Sequence, residues 1–214
     1  MSKGEATRQR IIAAAASIIN QRGYKGCSLQ DIMEATGLEK GGIYRHFESK
    51  EELAAEAFDF AWANTFALRT HDLDSILDPI DRLKQHIARV GTRSNIPGGC
   101  PLLNTAIDSD HGNPVLRDRV RKALRGWQAM LHRILEEGVA QGKMNTNLNI
   151  EEAANHIIAS LEGGMVISRL ERTDAAMSSA RQHLENYIET HVRKAASPEK
   201  RSPRKPSSAL KPKK

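Results

Sequence analysis

The stretch from Gly37 to Leu53, which reads GLEKGGIYRHFESKEEL, decides how the N-terminal part of this chain folds. Gly37 ends an upstream helical segment, and a short helix is predicted from about Lys40 to Phe47. The Ser-x-x-Glu spacing that starts at Ser49 then predicts the capped beginning of another helix. Two short helices joined by a glycine-containing turn are typical of a helix-turn-helix, whose second helix can enter the roughly 12 Å wide major groove of DNA.

The first member of this pair begins at Ser28-Leu29-Gln30-Asp31, which has the spacing of a capping box. In such a box a hydroxyl and an acidic group satisfy backbone donors that the helix leaves unpaired. The helix ends at Thr36-Gly37 and carries three apolar residues on one side, namely Leu29, Ile32 and Met33. The helix-turn-helix is therefore predicted over residues 28 to 47.

This region resembles the DNA-binding segment of the TetR family of transcriptional regulators, which ends in a similar Lys-Gly-x-Ile/Leu-Tyr-x-His-Phe-x-x-Lys-Glu-x-Leu string. The match also includes positions on and just after a first helix, namely Thr7, Ile11, Ala15, Ile18, Gly23 and Tyr24. The resemblance implies an all-α fold of about nine helices. A three-helix DNA-binding domain would span residues 5 to 65, and a larger helical domain for ligand binding and dimerisation would span residues 66 to 192.

The candidate DNA contacts lie in and around the helix-turn-helix. They are Ser28, Gln30, Lys40, Gly41, Gly42, Tyr44, Arg45, His46 and Lys50. Lysines on either side of the short helix would neutralise phosphates and give affinity that does not depend on sequence. Each contact also has a structural interpretation: the lysines as ordinary surface charges, His46 as a surface histidine, Tyr44 as a packed ring and Ser28 as a helix cap.

Two positions depart from the family pattern. Glu39 stands where the family usually has serine, and its charge would be repelled by phosphate. Gly42 stands where a small hydroxyl residue is common, and glycine has no side chain to contact a base. Base recognition is therefore expected from Arg45, Gln30, Lys40 or backbone groups.

Composition limits the class of protein. The chain has 214 residues, of which 39% are hydrophobic, and it contains no apolar run near the roughly 20 residues that a membrane span requires. Its first residues lack the apolar stretch of a signal peptide, so a cytoplasmic protein without a membrane partner is expected. Cys27 and Cys100 are too few and too separated for a zinc site or a disulfide scaffold, and we expect neither a metal nor a cofactor.

The net charge of +6 is concentrated at the C-terminal end. Residues 193 to 214 contain nine basic residues and one acid, which gives +8 and leaves −2 for residues 1 to 192. Because this segment is rich in proline and serine and almost devoid of apolar residues, it is predicted to be a disordered basic tail. It is either a solubilising terminus or a nonspecific tether to DNA.

After Glu51 the signals remain helical. Three helix starts are predicted at Asp78-Pro79, Asn113-Pro114 and Asn149, the last with Glu152. The candidate ligand-binding residues are Phe58, Trp62, Phe66, Cys100, Asn104 and Trp127. The aromatic stripe is either core packing or a ligand contact. Cys100, which precedes a predicted helix at Pro101, is either a packed cysteine or a thiol whose pKa the helix N-terminus lowers.

Dimerisation is expected through the last two helices, over residues 149 to 169 and 173 to 192. The candidate interface residues are Ile157, Leu161, Gly164, Leu184, Tyr187 and Ile188. Gly163-Gly164 would cost roughly 1 kcal/mol per residue inside a helix relative to alanine, which close helix approach would offset. The alternative is that these residues pack within one chain.

These observations lead to the hypothesis of a sequence-specific transcriptional regulator that binds a double-stranded DNA operator as a homodimer. It would be a repressor that a small-molecule effector releases; the alternatives are an activator of the same family and a nonspecific architectural DNA binder. An enzyme that uses Cys100 and a histidine is disfavoured because no catalytic motif is present. Six of the eight histidines are scattered without ligand-like spacing, at His71, His86, His111, His132, His156 and His183.

Overall fold

The computed structural model of the chain describes residues 2–91, 96–109 and 112–195. Within these residues it contains nine α-helices, a 3₁₀ turn at Leu73–Ser75, a π-helical turn at Ile188–Val192 and no strand longer than an isolated bridge. The helices are α1 Lys3–Gly26, α2 Leu29–Thr36, α3 Lys40–Tyr44, α4 Lys50–Thr70, α5 Pro79–Arg89, α6 Pro101–Ser109, α7 Pro114–Ala140, α8 Ile150–Leu170 and α9 Ala175–Tyr187. The predicted all-α fold is confirmed.

The helix-turn-helix forms as the local sequence predicts. The Ser28 hydroxyl accepts a hydrogen bond from the Asp31 N–H at 3.1 Å, and the Asp31 carboxylate accepts one from the Ser28 N–H at 2.7 Å. Gly37 ends α2 with a φ of +65°, a conformation that glycine adopts without steric cost. The second helix, however, ends at Tyr44, so the prediction that it reaches Phe47 was wrong. The chain turns after Tyr44, and Phe47 is buried in the core.

The second part of the chain is organised by its helix caps. Asp78 accepts from the N–H groups of Ile80 and Asp81, and Asn113 accepts from those of Val115 and Leu116. Asn149 caps α8 through the N–H of Glu152 at 3.2 Å. These three predicted starts are confirmed. Among the described residues no helix combines the length and apolar character needed to cross a lipid bilayer.

Helix α4 belongs to the cores of both parts of the molecule. It packs against α1, α7, α6 and α5. Lys50 and Glu56, in its first two turns, bond to Tyr24 and Arg8 of α1. The apolar residues of the N-terminal helices and those of the larger bundle form one continuous buried cluster. Trp62 and Phe66 share one face of α4, with ring centroids 5.3 Å apart.

The turn that precedes α6 is fastened to the end of α1 by side-chain amides. Asn20 Nδ2 donates to the carbonyl oxygens of Pro97 and Gly99 at 2.8 and 3.2 Å. Asn104 Nδ2 donates to the carbonyl oxygens of Asn20 and Gly98 at 2.9 and 2.8 Å. A Cβ on Gly98 would lie 2.5 Å from the Asn20 carbonyl oxygen, so only glycine permits this approach.

Most of the predicted dimer residues lie inside the chain instead. Ile157, Leu161, Leu184 and Ile188 are fully buried between α8, α9 and the rest of the bundle, because each lies on the inward stripe of its helix. A Cβ on Gly164 would lie 2.9 Å from that of Ala180 on α9, so the close helix approach is an intrachain contact. The prediction that the four fully buried residues face a partner was wrong, whereas Gly164 also lines a groove on the outer face of α8 and α9.

The first residues of the predicted tail are part of the fold. The Arg193 N–H donates to the Ile188 carbonyl at 2.7 Å, and the Lys194 N–H donates to the Lys143 carbonyl at 2.9 Å. The predicted boundary at residue 193 was therefore too early. The rest of the predicted tail, residues 196 to 214, lies outside the described residues, as does His111.

Replacing Gly98 with alanine should destabilise the protein by roughly 1–3 kcal/mol. The new methyl would meet the Asn20 carbonyl, and Gly98 has a φ of +108°. Gly126→Ala is the control, because a Cβ there meets nothing within 4 Å and should stabilise α7 by up to about 1 kcal/mol. Urea unfolding at one protein concentration measures both. Equal effects would show that α1 and α6 do not depend on this close approach.

Candidate functional site

The outer surface of α2 and α3 is polar and rests on a buried apolar base. Ile32, Ile43 and Phe47 are buried beneath it. The α3 surface, as we name it, consists of the exposed residues Gln30, Lys40, Gly41, Tyr44 and Arg45. Its shape follows from the periodicity of the two helices, since the apolar stripe of each faces inward and turns the polar residues outward.

The cations of the α3 surface are available to an external ligand. Within the described chain the Arg45 guanidinium has neither an ion pair nor a hydrogen bond, and the residue is exposed at the end of α3. Lys40 Nζ lies 5.9 Å from the centre of the Tyr44 ring, which is 42% exposed. Gln30 is less available to an external ligand, because its amide nitrogen donates to Glu34 Oε1 at 3.0 Å. Its amide must leave Glu34 to contact a base.

The two glycines of α3 have different surroundings. A Cβ on Gly41 would meet nothing within 4 Å, so packing within the chain does not require glycine there. A Cβ on Gly42 would lie 3.7 Å from the Cβ of Leu38, and Gly42 is half-buried. Gly41 therefore leaves the backbone of the first turn open to close approach from outside.

Three other predicted contacts have partners or neighbours within the chain. Ser28 Oγ donates to Asp31 Oδ2 at 2.5 Å, and this bond is the main reason that the pKa of the Asp31 carboxyl is lowered. Lys50 Nζ donates to the Tyr24 carbonyl at 2.8 Å and lies 4.4 Å from the centre of its ring. Lys50 thus braces α4 against the end of α1. His46 is half-buried, with its ring 6.5 Å from that of Phe47.

A half-open cavity of about 540 Å³ lies in the larger bundle, between α4, the 3₁₀ turn, α5 and α7. Its volume falls within the range of roughly 300–1,000 Å³ that is typical of small-molecule sites. The lining residues are Phe66, Thr70, Leu73, Asp74, Arg82, Gly126, Ala129, Met130, Arg133 and Ile134. Of the six predicted ligand-binding residues, Phe66 is the one that lines it.

The other five point elsewhere. Phe58 is buried between α4, α1 and α6 beside a void of only about 10 Å³. Asn104 holds the end of α1, as described above, and Trp127 is fully buried with its indole N–H donating to His86 Nε2 at 2.8 Å. Trp62 and Cys100 belong to a buried polar cluster. These five residues lie outside the cavity, because their positions fall on faces that pack against other helices, and a ligand contact by them stays a prediction.

The buried polar cluster is centred on Arg69, in the last turn of α4. Its guanidinium carbon lies 4.9 Å from the centre of the Trp127 ring and 5.6 Å from that of Trp62. Arg69 Nη1 lies 3.7 Å from Glu162 Oε1, and Cys100 Sγ donates to the same oxygen at 3.0 Å. Both charged side chains are almost completely buried. Four helices, α4, α6, α7 and α8, meet at this cluster.

Burial controls the chemistry of this cluster. It raises the pKa of the Cys100 thiol to about 11, against the smaller opposing effect of Arg69. It also raises the pKa of Glu162. A thiol in this state carries almost no thiolate at neutral pH and is a poor nucleophile. The structure therefore favours the packed cysteine over the reactive thiol, and it gives no support to the enzyme hypothesis.

The hydrogen bonds of His86 fix its tautomer. The Trp127 indole N–H can only donate, so His86 Nε2 must accept and Nδ1 must carry the proton. Nδ1 faces the Arg69 carbonyl at 3.4 Å. Burial lowers the pKa of His86 to about 4, and the nearby Arg69 charge adds to the shift. His86 is therefore a neutral residue of the core at physiological pH.

Sequence reasoning missed Arg82, which lines the cavity and is 8% exposed. A signal was present in α5, where Arg82 lies four residues before His86 and one before Leu83, on the apolar stripe of the helix. Arginine is rarely buried unless it is paired, so its presence on a buried stripe indicates a special role.

Comparison with known proteins places both parts of the chain in one family of sequences. Residues 11–57 match the model of the bacterial regulatory proteins of the tetR family, and residues 78–184 match that of the Tetracyclin repressor-like C-terminal domain. The HTH-type transcriptional repressor DhaR of Mycobacterium sp. (strain GP1) is 26% identical over 77% of this chain and 83% of its own length. The HTH-type transcriptional regulator LmrA of Bacillus subtilis is 25% identical over 78% of this chain and 88% of its own.

Solved structures agree with this comparison. A TetR transcriptional regulator from Chloroflexus aurantiacus superposes with a TM-score of 0.87 and 40% identity, over 91% of this chain and 100% of that one. A putative transcriptional regulator from Saccharomonospora viridis, solved in complex with choline, has a TM-score of 0.78 and 24% identity, over 89% of this chain and 100% of that one. The second likeness shows the fold alone.

His86 should make stability depend on pH in a defined window. Its pKa is lowered from 6.5 to about 4 by folding, so the unfolded chain binds a proton that the folded chain does not. Stability should fall as pH drops from about 6.5 to about 4, by about 3 kcal/mol in all. Urea unfolding of the wild type and of His86→Gln between about pH 4.5 and 7.5 tests this. The variant should lose less stability on acidification; parallel curves would contradict the assignment.

Proposed function

Because the chain belongs to the TetR family of transcriptional regulators, we propose that it is a repressor that binds an operator as a homodimer and leaves it when a small-molecule effector enters the cavity between α4, α5 and α7. The observation that carries this proposal is the position of α4. Phe66 and Thr70 near its end line the cavity, while its start is bonded through Lys50 to α1 of the DNA-binding part.

This position gives the effector a mechanical route to DNA. An effector that binds more tightly to one placement of α4 than to another shifts the population toward that placement. The shift moves α1 to α3 of one protomer relative to those of its partner. Coupling between the two sites needs only this difference in affinity, typically 1–3 kcal/mol.

Two relatives support the proposal without deciding it. DhaR of Mycobacterium sp. is named a transcriptional repressor, which favours repression over activation here. The Saccharomonospora viridis regulator was solved with choline, so a protein of this fold accommodates a small molecule. For this chain we infer the same division of labour, with DNA binding in residues 5–65 and effector binding and dimerisation in residues 66–192, and α4 crossing the boundary.

The proposed DNA contacts divide into two classes. Arg45 and Gln30 contact bases, since their donors match the acceptors on guanine and adenine edges. The remaining candidates, among them Lys40, Tyr44 and His46, contact DNA phosphates. The open main chain at Gly41 does so as well. Lys50 contributes through its free N–H groups, because its bond to Tyr24 uses one of three.

The proposed dimer interface is the outer face of α8 and α9. A groove of about 590 Å³ runs along this face, and its lining includes Gly164, Ile167 and Tyr187. Ile167 is 52% exposed and Leu170 is 77% exposed, so apolar surface lies open on this face. Gly164 and Tyr187 thus remain candidates from the predicted set, whereas the apolar contacts come from residues on the opposite stripe of α8.

Arg45→Ala should relax the preference for particular bases, at a cost of about 1–3 kcal/mol on specific DNA. Lys40→Ala should weaken binding on all sequences and reduce the slope of log K against log salt by about one, because it removes a phosphate contact. The operator is first obtained by selecting tight binders from a pool of random duplexes. Fluorescence anisotropy on the selected and scrambled duplexes, from about 50 to 200 mM salt, measures both effects.

Lys122→Ala, at an exposed position on α7, is the matched control for loss of charge. It should leave both DNA affinities unchanged. If the selection yields no preferred sequence, the protein is a nonspecific DNA binder and the proposed function fails. If Arg45→Ala and Lys40→Ala act equally on the operator and on scrambled DNA, the division between base and phosphate contacts is wrong.

Ile167→Glu should shift the protein toward monomer and abolish tight operator binding, because it places a charge in an apolar interface. Ile107→Glu is the control, since Ile107 is 71% exposed on α6. Sedimentation velocity measures the association state of both variants. Gly164→Leu is a poorer test, because it would disrupt packing between α8 and α9 within one chain. A dimer that survives Ile167→Glu would move the interface to another face.

A further inference from the structure

We propose that the effector of this cavity is an organic anion, a carboxylate on an aromatic or branched aliphatic body, and that Arg82 binds its carboxylate. The inference rests on the proposed function of the cavity and specifies the chemical class of its ligand. It follows from the donors that the cavity presents, the charge around them and the apolar character of the remaining walls.

Arg82 presents unused donors to the cavity. Its Nε donates to the Ile76 carbonyl at 3.0 Å, and its Nη1 donates to Glu137 Oε2 at 2.6 Å. A guanidinium has five N–H groups, so two bonds leave three. Nη2 has no partner among the described residues, although the Arg82 side chain is only 10% exposed. The two bonds hold the planar group in one orientation, which suits the fork-like recognition of a carboxylate.

The charge of the lining favours an anion. Arg82 and Arg133 line the cavity with Asp74 as the acid, which gives a formal balance of +1 for the lining. Asp74 pairs with Arg133 at 3.3 Å, and both side chains are largely exposed to solvent, at 82% and 58%. This exposed pair is screened by water. Arg82 is paired with Glu137, which does not line the cavity, so its attraction for an anion comes from the donors of the buried guanidinium that the pair leaves unused.

A cationic ligand would lack a suitable site in the described cavity. The ring that lines it, Phe66, stacks on Trp62, and the rings of Trp62 and Trp127 already flank the Arg69 guanidinium. An organic cation would have to approach Arg82 as well, and like charges repel. The two acids that could attract it are already paired, Asp74 of the lining with Arg133 and the neighbouring Glu137 with Arg82.

The rest of the cavity suits an apolar body. Phe66, Leu73, Met130 and Ile134 form apolar walls, and small residues on one face of α7 leave the space open. The volume of about 540 Å³ accommodates a ring or a branched chain beside the carboxylate. A ligand held here contacts Phe66 and Thr70 in the last two turns of α4. Helix α4 is the one that the proposed release mechanism displaces.

Three probes with one body and different charges test the proposal: 4-phenylbutyrate, 4-phenylbutan-1-ol and 4-phenylbutylamine. Ligand-observed NMR titration of the full chain near neutral pH should rank the acid above the alcohol by at least about tenfold and place the amine last. At roughly 0.3 kcal/mol per non-hydrogen atom or better, the acid should bind in the low millimolar range or tighter. Binding that is absent at about 10 mM, or an amine that binds as tightly as the acid, overturns the proposal.

Arg82→Gln should reduce the affinity for the acid to that for the alcohol. The matched control is Arg133→Gln, which removes the exposed arginine of the same cavity and should change the affinity less than about threefold. If loss of the Glu137 partner prevents Arg82→Gln from folding, Arg82→Lys is used instead. This variant should bind the acid more weakly, because lysine lacks the guanidinium fork, but should still bind the acid more tightly than the amine. An acid affinity that neither Arg82 variant changes overturns the assignment.

Operator binding is measured on the same preparations, so that the two proposals fail separately. If the acid binds through Arg82 and does not weaken operator binding, the anion site stands and the effector-release function fails. If the amine or another compound releases the operator and the acid never binds, the function stands and the anion inference fails.

Discussion

A positive charge buried in the last turn of α4 has to be balanced inside the protein, because an unpaired ion removed from water costs many kcal/mol. Arg69 is balanced by Glu162 of α8 and by the faces of two tryptophan rings, one from α4 itself and one from α7. Cys100 joins α6 to the same carboxylate. The balance is incomplete, since Arg69 Nη1 and Glu162 Oε2 lack hydrogen-bond partners among the described residues. Breaking the pair of Arg69 and Glu162 would leave a buried charge, so this pair fixes where α4 can lie.

The placement of α4 and α6 then determines how the two parts of the molecule communicate. Helix α4 carries the cavity wall at one end and the support of α1 at the other. Helix α6 begins at Pro101, directly after Cys100, and its Asn104 holds the Asn20 carbonyl of α1. Further along α6, Asp108 accepts the Tyr24 N–H at 2.6 Å. In the proposed function, a ligand at Phe66 would act on α4, which contacts the DNA-binding part directly.

The helix-turn-helix and the helix starts were predictable because their causes are local. A capping residue and the groups that it bonds are separated by three residues or fewer, as at Ser28 and Asn113, so the sequence contains the whole interaction. The end of α3 was mispredicted because burial of Phe47 depends on the core beneath it. The ligand and dimer residues were harder to predict for a related reason: periodicity shows that a face is apolar, and it does not show whether the face meets the same chain, a ligand or a partner.

The sequence by itself determined the all-α class, the helix-turn-helix with its exposed Arg45 and Lys40, and the family, since these follow from spacing along the chain. Tertiary structure alone decided that Cys100 and Trp127 serve the core, that Ile157 and Leu184 pack within one chain, and that Arg82 faces a cavity. The physical reason is that burial and pairing arise between helices far apart in sequence. Arg82 and Glu137 are 55 positions apart, and no local pattern records which charge will meet which.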